Sequence, residues 1–226
     1  MHAPLPAGTS RRRSFLGRLA AGGLALLSAP SVLRGSEPDA GLLQDTNDAW
    51  IGKLKGQHRQ YFDATTVNDG FPLAYAFNWM GTMAKTYGLR DDQLSAVIGL
   101  RHFSIPIAFT DAIWSKYALG KVFNVTDPVT RQPSTRNIYL GSKAGDMMFP
   151  DAAVDKLVAR GATVVVCNLA LNVFSGMAAP NAGVSADAAR AEWIAGLVPG
   201  AVVVPSGVLA VNRAQERGKC TYCYAG

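Results

Sequence analysis

Short apolar runs alternate with amphipathic segments along most of the chain. Four runs, at residues 60–64, 94–102, 162–167 and 201–205, have the length and apolar character of buried strands. The intervening segments repeat apolar residues at spacings of three and four, which predicts helices at 72–87, 107–117, 149–160, 186–197 and 207–217, with a shorter one at 42–54. Strands that alternate with helices favour one α/β domain built on a doubly wound parallel sheet, with flavodoxin-like layers and right-handed crossovers.

The pattern also divides the chain into segments. We assign residues 1–36 to a targeting segment, 37–57 to a lead-in, 58–218 to the α/β domain and 219–226 to a tail. Within the domain, residues 121–147 form an inserted loop rich in Pro and Gly, in which residues 137–140 have the composition for a hairpin. Two interpretations stay open for this loop: a binding, lid or oligomer-contact element, or a tolerated surface insertion.

The amino-terminal segment has the pattern of a twin-arginine export signal. Arg12 and Arg13 are followed by Ser, Phe and Leu, and a weakly apolar run covers residues 19–29. Eleven residues span about 16 Å as a helix, whereas a bilayer core is about 30 Å thick, so we expect no transmembrane span. The pattern predicts a periplasmic protein whose first partner is the Tat translocase. Cleavage near residues 34–40 and retention of the segment as an anchor both stay open.

Net charge excludes one class of partner. The formal charge is +6, but residues 1–36 hold five arginines and no acid, which leaves 17 basic against 16 acidic residues elsewhere. The domain is therefore almost neutral and has no basic surface pattern for nucleic acid, so we expect no nucleic-acid partner.

Polar and nucleophilic residues follow the predicted strands, and ligands of open parallel sheets bind beyond the carboxyl ends of the strands. Cys167 ends the third strand, where a following helix would stabilise negative charge on its sulfur; it is the candidate nucleophile, with an inert buried thiol as the alternative. His102 follows the second strand as a candidate base or orienting group, with a structural histidine as the alternative. The expected pocket rim consists of Asn68, Asp69, Asn168, Ser206 and Gly207.

The tail contains a CxxC pair, Cys220 and Cys223. Such a pair fits a disulfide or an edge strand, thiol or sulfur chemistry, or part of a metal site that needs further ligands from Cys167, His102 or a second subunit. It is not a haem attachment site, because Tyr224 stands where CxxCH has its histidine. We predict no cofactor.

Residues 162–218 resemble the DsrE/DsrF-like family of sulfur oxidation and sulfur relay. The matching features are VVVCN at 164–168, LVPGAVVVPSGV at 197–208, and a last helix with Gln215 and Gly218; Asn68-Asp69 with Pro72 and the 114–117 segment are also similar. The resemblance implies a doubly wound parallel sheet, a trimer or hexamer, and a sulfur-carrying cysteine at the position of Cys167. The chain departs from the family at residues 169–183, which are longer than the family's short turn, at residues 121–147, and in having an export signal.

Two functions from different classes follow. The first is an exported DsrE-like thiol protein that carries or transfers sulfur or electrons through Cys167, with a sulfur or thiol protein as partner and a homo-oligomer as assembly. The second is a non-catalytic binding or assembly protein with a structural Cys220–Cys223 disulfide. If the first holds, we expect Cys167 to lie within reach of His102, Ser206 and the 65–70 turn.

The export signal is tested by replacing Arg12 and Arg13 together with Lys. The change keeps the charge but removes the paired guanidinium groups, so the precursor is expected to accumulate in the cytoplasm. Cell fractionation and immunoblotting measure this, with Arg34→Lys as the matched control. Normal periplasmic accumulation of the double variant would contradict the signal assignment.

Overall fold

The computed structural model describes residues 47–226. The twin-arginine segment, and all but the last residues of the lead-in, lie outside the described residues. The strands are β1 (His58–Ala64), β2 (Leu94–Leu100), β3 (Thr163–Cys167), β4 (Val202–Val204) and β5 (Thr221–Tyr224). The helices are α1 (Phe71–Tyr87), α2 (Asp111–Lys116), α3 (Leu119–Val122), α4 (Val154–Ala159), α5 (Asn168–Ala182), α6 (Ala186–Ala195) and α7 (Gly207–Glu216). Across residues 47–226, no helix has the length and apolar character needed to cross a membrane.

All five strands are parallel and lie in one sheet in the order β4-β3-β2-β1-β5. Alternate residues of each strand face opposite sides, so Phe62 joins the larger core while Tyr61 joins the smaller one. Helix α1 packs on β1 and β2 over the larger core, and α7 packs on β1, β2, β3 and β5 over the smaller core. The doubly wound parallel sheet predicted from the alternating pattern is confirmed.

The connections leave the sheet in opposite directions at one point. The chain moves stepwise from β1 to β4, and α7 then recrosses the sheet so that β5 pairs with β1 at the far edge. After β3 the chain enters α5 over the larger core, and after β4 it enters α7 over the smaller core. A crevice between the carboxyl ends of β3 and β4 follows from this divergence, and such crevices are where open α/β sheets bind ligands.

The tail is part of the sheet. Residues of β5 pair with β1, with Cys223 opposite Phe62 and Tyr222 opposite Tyr61. Of the alternatives for the CxxC segment, the structure therefore has the edge strand. Only four residues long and followed directly by the last two residues, β5 offered too short a pattern to be recognised as a strand in the sequence.

Two helix assignments change. Residues 169–183, expected to be a long turn, are helix α5, whose buried positions Ala170, Leu171, Phe174 and Ala178 follow the helical spacing and whose end is closed by left-handed Gly183. The single helix expected over 107–117 is a 3-10 helix, His102–Ala108, followed by α2. Pro106 removes a backbone donor from the first piece, so one continuous α-helix does not form.

Ion pairs order the inserted loop. Arg136 donates to Asp127 at 2.7 Å and to both oxygens of Asp146 at 2.9 and 2.6 Å, and both carboxylates are buried. Asn137 donates from its side chain to the carbonyls of Ile107 and Phe109, which ties the loop to the segment before α2. Residues 137–140 form a turn instead of the hairpin.

Replacing Arg136 with Met tests whether these ion pairs hold the loop. The change leaves two buried carboxylates without their partner, so the free energy of unfolding is expected to fall by about 3 kcal/mol, the lower part of the range for a broken buried pair, because Arg136 is 33% exposed. Urea unfolding at pH 7 measures this, and limited proteolysis should cut residues 121–147 faster. Arg131→Met, which removes an exposed arginine of the same loop, is the control and should change neither.

The same pair predicts a pH dependence. The hydrogen bonds from Arg136 hold the pKa of Asp146 below its usual value, so the ionised carboxylate stabilises the fold at neutral pH. This contribution is lost as the pH falls through the lowered pKa, below about pH 4. Urea midpoints at pH 7 and pH 3 should therefore fall less in Arg136→Met than in the unmodified protein; an equal fall would contradict the assignment.

Candidate functional site

Cys167 lies at the carboxyl end of β3 and is also the residue that begins α5. Its Sγ accepts a hydrogen bond from the backbone N–H of Ala170 at 3.5 Å, and the residue is 6% exposed. It lines a cleft of about 270 Å³ together with Arg101, His102 and Ser206, in the crevice where α5 and α7 diverge. The structure thus brings three of the predicted site residues, Cys167, His102 and Ser206, to one cleft.

His102 follows β2 by two residues and stands at the mouth of this cleft. Its backbone is left-handed, with φ of 54°, a conformation that non-glycine residues adopt at some energetic cost. The exposed ring packs edge-on against Phe103, with centroids 4.3 Å apart, and lies 6.2 Å from the Phe174 ring. Buried Ser104 holds this turn, since its hydroxyl accepts from the Arg101 N–H at 2.9 Å and donates to the Ala64 carbonyl at 2.8 Å.

Arg101 is the one cationic side chain among the residues that line this cleft. Its Nε and Nη2 donate to the two oxygens of Asp63 at 2.8 and 2.9 Å, and Tyr222 of β5 donates to the same carboxylate at 3.0 Å. Asp63 is 2% exposed and Arg101 28%, so the carboxylate is covered while part of the guanidinium reaches solvent. The hydrogen bonds with Asp63 raise the pKa of Arg101, which fixes its positive charge.

The carboxyl end of β4 supplies the opposite wall. Ser206 precedes α7, and its side chain makes no capping hydrogen bond. Gly207 begins the helix, where a Cβ atom would come within 2.6 Å of the Arg101 Cβ. A glycine at this position therefore lets the start of α7 lie directly against Arg101.

The other expected rim residues lie elsewhere. The Asn168 side chain accepts from Arg190 at 2.9 Å, which joins α5 to α6. Asn68 and Asp69 do not line the Cys167 cleft, because the turn after β1 lies two strands away from β3; Asp69 instead borders a small hollow with Met147. The 65–70 turn is thus separate from the candidate site.

Cys220 and Cys223 do not approach the cleft or each other. Cys220 lies in the smaller core and Cys223 packs against the larger one, so the two thiols are on opposite sides of the sheet. All three cysteines are free, and the Cys220–Cys223 disulfide is not formed. Burial raises the pKa of Cys220 to about 11 and also raises the pKa of Cys223. In the part of the chain that the structure describes, no group of three His, Cys, Asp or Glu side chains is placed to hold a metal ion.

Three residues of the site escaped the sequence pattern. Asp63 was visible as an acid inside an apolar strand, a position that requires a buried partner. Arg101 stood next to His102 without an assigned role, and Tyr222 belongs to the strand that the pattern did not predict. Pairing between β1 and distant β5 joins these residues, and this pairing cannot be read from local spacing.

Comparisons with known proteins leave the family open. No protein-family model, no curated protein and no solved structure matches the chain.

Proposed function

We propose that the protein is an exported thiol protein that accepts and passes on sulfane sulfur through Cys167. The observation that carries the proposal is the position of this thiol. Its sulfur accepts a backbone N–H at the start of a 15-residue helix and lines a cleft with His102 and Ser206. N–H groups at a helix start stabilise negative charge on sulfur, which is what a nucleophilic cysteine requires.

The transfer needs no external oxidant. The Cys167 thiol loses its proton, for which the exposed His102 imidazole at the cleft mouth is the nearby acceptor. The thiolate attacks the outer sulfur of a donor R–S–SH; a new S–S bond forms to Cys167, the donor's S–S bond breaks, and R–S⁻ leaves with the electron pair. Cys167 is then a persulfide, and the reverse reaction with an acceptor thiol passes the sulfur on.

The CxxC pair has no place in this proposal. Cys220 is buried in the smaller core with a raised pKa, and β5 lies three strand positions from β3, about 14 Å across the sheet. Exchange between Cys167 and either tail thiol would require the edge strand to leave the sheet. Cys167 is therefore proposed to act alone, with its partner thiol on another protein.

A second candidate function is binding or assembly without chemistry. One face of α5 exposes Leu169, Val173 and Met177 at helical spacing, next to the cleft. Exposed apolar side chains in a row are typical of surfaces that contact another protein. This stripe favours a protein partner or a second copy of the chain, and it is compatible with the first candidate, because sulfur relay also requires a docked partner.

Sulfur uptake tests the first candidate. Incubated with polysulfide, the protein is expected to gain the mass of one sulfur atom on the Cys167 peptide, and Cys167→Ser should lose this gain while staying folded, since the two side chains are similar in size. Peptide mass spectrometry with a persulfide-trapping reagent measures it. Cys223→Ser, which removes a partly buried thiol outside the cleft, is the matched control and should keep full uptake.

Alkylation gives an independent readout. In the native protein, Cys167 is expected to react with iodoacetamide faster than Cys220, which burial keeps protonated near neutral pH. Labelling of Cys167 only after unfolding, together with no sulfur uptake, would overturn the thiol proposal and favour the binding or assembly function.

A further inference from the structure

The Cys167 cleft carries a second signature, a set of hydrogen-bond donors without acceptors. Its lining contains no acidic side chain and only one carbonyl-rich segment, the turn after β2. The one nearby carboxylate, Asp63, is covered by Arg101 and Tyr222. A site of this composition favours a ligand that accepts hydrogen bonds and carries negative charge.

We propose that the cleft binds a small oxoanion, and that the sulfur donor of the proposed function is accordingly an anionic compound with a sulfane sulfur, of the thiosulfate type. The inference rests on the proposed function for the identity of the reacting sulfur, but the anion site itself does not depend on Cys167 being reactive.

Arg101 supplies the positive charge. Asp63 occupies Nε and Nη2, while Nη1 has no partner among the described residues. The bidentate pair fixes the plane of the guanidinium, and the start of α7, which contacts the aliphatic part of the side chain at Gly207, prevents it from swinging away. A held guanidinium with a free donor is suited to an oxygen of an anion.

Two helix starts face the same space. Helix α5 has 15 residues and begins after Cys167, and α7 has 10 residues and begins after Ser206. Cys167 and Ser206 both line the cleft, and Ser206 leaves the first N–H groups of α7 without a side-chain cap. Convergence of two helix starts adds backbone donors and positive potential where an anion would sit.

A buried hydroxyl below the cleft is the independent observation. Tyr61 is fully buried, and its hydroxyl has no hydrogen-bond partner among residues 47–226, which is costly for a polar group. The hydroxyl lies over Gly99, where a Cβ atom would come within 1.9 Å of it, and it is close enough to Arg101 and Cys167 for their charges to influence its ionisation. Burial raises the pKa of Tyr61, so it stays a donor at all physiological pH values. An oxoanion in the cleft would give this donor the acceptor that the protein does not provide.

The anion also fits the sulfur step. The Cys167 thiolate attacks the outer sulfur of thiosulfate, a new S–S bond forms, the S–S bond of thiosulfate breaks, and sulfite leaves with the electron pair. Total charge is conserved, and no oxidant or reductant is consumed. Arg101 and the helix starts stabilise the charge that accumulates on the departing sulfite oxygens. A cleft of about 270 Å³ is at the small end of ligand sites, which suits an ion of this size.

Isothermal titration of the full chain with sulfate and with thiosulfate tests the site, with sulfamide, a neutral compound of the same shape, as the ligand control. Both anions are expected to bind and sulfamide is not. Arg101→Gln should weaken anion binding about 10-fold to 100-fold, and Tyr61→Phe, which removes only the hydroxyl, about 10-fold.

Arg160 offers a matched control. It forms the same two-pronged pair, with Asp91 at 2.9 and 2.9 Å, and its side chain is also 28% exposed, but it lies at the opposite end of β2. Arg160→Gln should bind both anions normally. Because Arg101→Gln leaves Asp63 buried without its partner, the double variant Asp63→Asn/Arg101→Gln provides a folded protein without the charge, and it should bind as weakly as the single variant.

Absence of binding to the unmodified protein, or equal binding by the Arg101 and Arg160 variants, would overturn the anion site. Failure of the two proposals can be told apart. If Cys167 does not take up sulfur but sulfate still binds in an Arg101-dependent way, the anion site stands and the sulfur function falls. If polysulfide loads Cys167 but neither anion binds, the sulfur function stands and the anionic donor is wrong.

Discussion

A buried ion pair at the carboxyl end of the sheet connects most of the features described above. Asp63 of β1 accepts two hydrogen bonds from Arg101, which follows β2, and a third from Tyr222 of β5, so the pair links three neighbouring strands at one level. A carboxylate that is 2% exposed is stable only when its charge is matched and its oxygens are hydrogen-bonded, and the three donors meet that requirement. The edge strand contributes one of them, so the position of the tail and the geometry of the cleft depend on each other.

The pair also determines how the cleft is built. Arg101 lies between the sheet and the start of α7, and Gly207 is the residue that lets the helix approach it. On the other side of the crevice, β3 continues directly into α5, with Cys167 as the junction. The cleft therefore exists because α5 and α7 leave adjacent strands on opposite faces, while the ion pair keeps its floor closed and its one cation in place.

Much of the fold could be predicted from local patterns. Val164, Val165 and Val166 are apolar on both sides because helices cover both sheet faces, and this made β3 recognisable at once. Strand β5 was missed because four residues with two tyrosines and a thiol carry no clear period, and its strand character comes from pairing with β1. Helix α5 was missed because Gly176 and Pro180 resemble loop composition, although the packing of Leu171 and Phe174 against the core outweighs their low helix propensity.

The sequence by itself determined that the domain is a parallel α/β sheet and that Cys167, His102 and Ser206 stand at strand ends, because strand and helix periods are local properties. It also placed polar residues after β1 at the same rim, and rim position depends only on strand direction. The tertiary structure alone decided which strand ends are neighbours. The order β4-β3-β2-β1-β5 brings Cys167 to Ser206 and Arg101, separates it from Asn68 and Asp69, and sends Cys220 and Cys223 to opposite faces of the far edge. Strand order results from long-range packing and from the pairing of Asp63 with Arg101 and Tyr222, and no local spacing records those contacts.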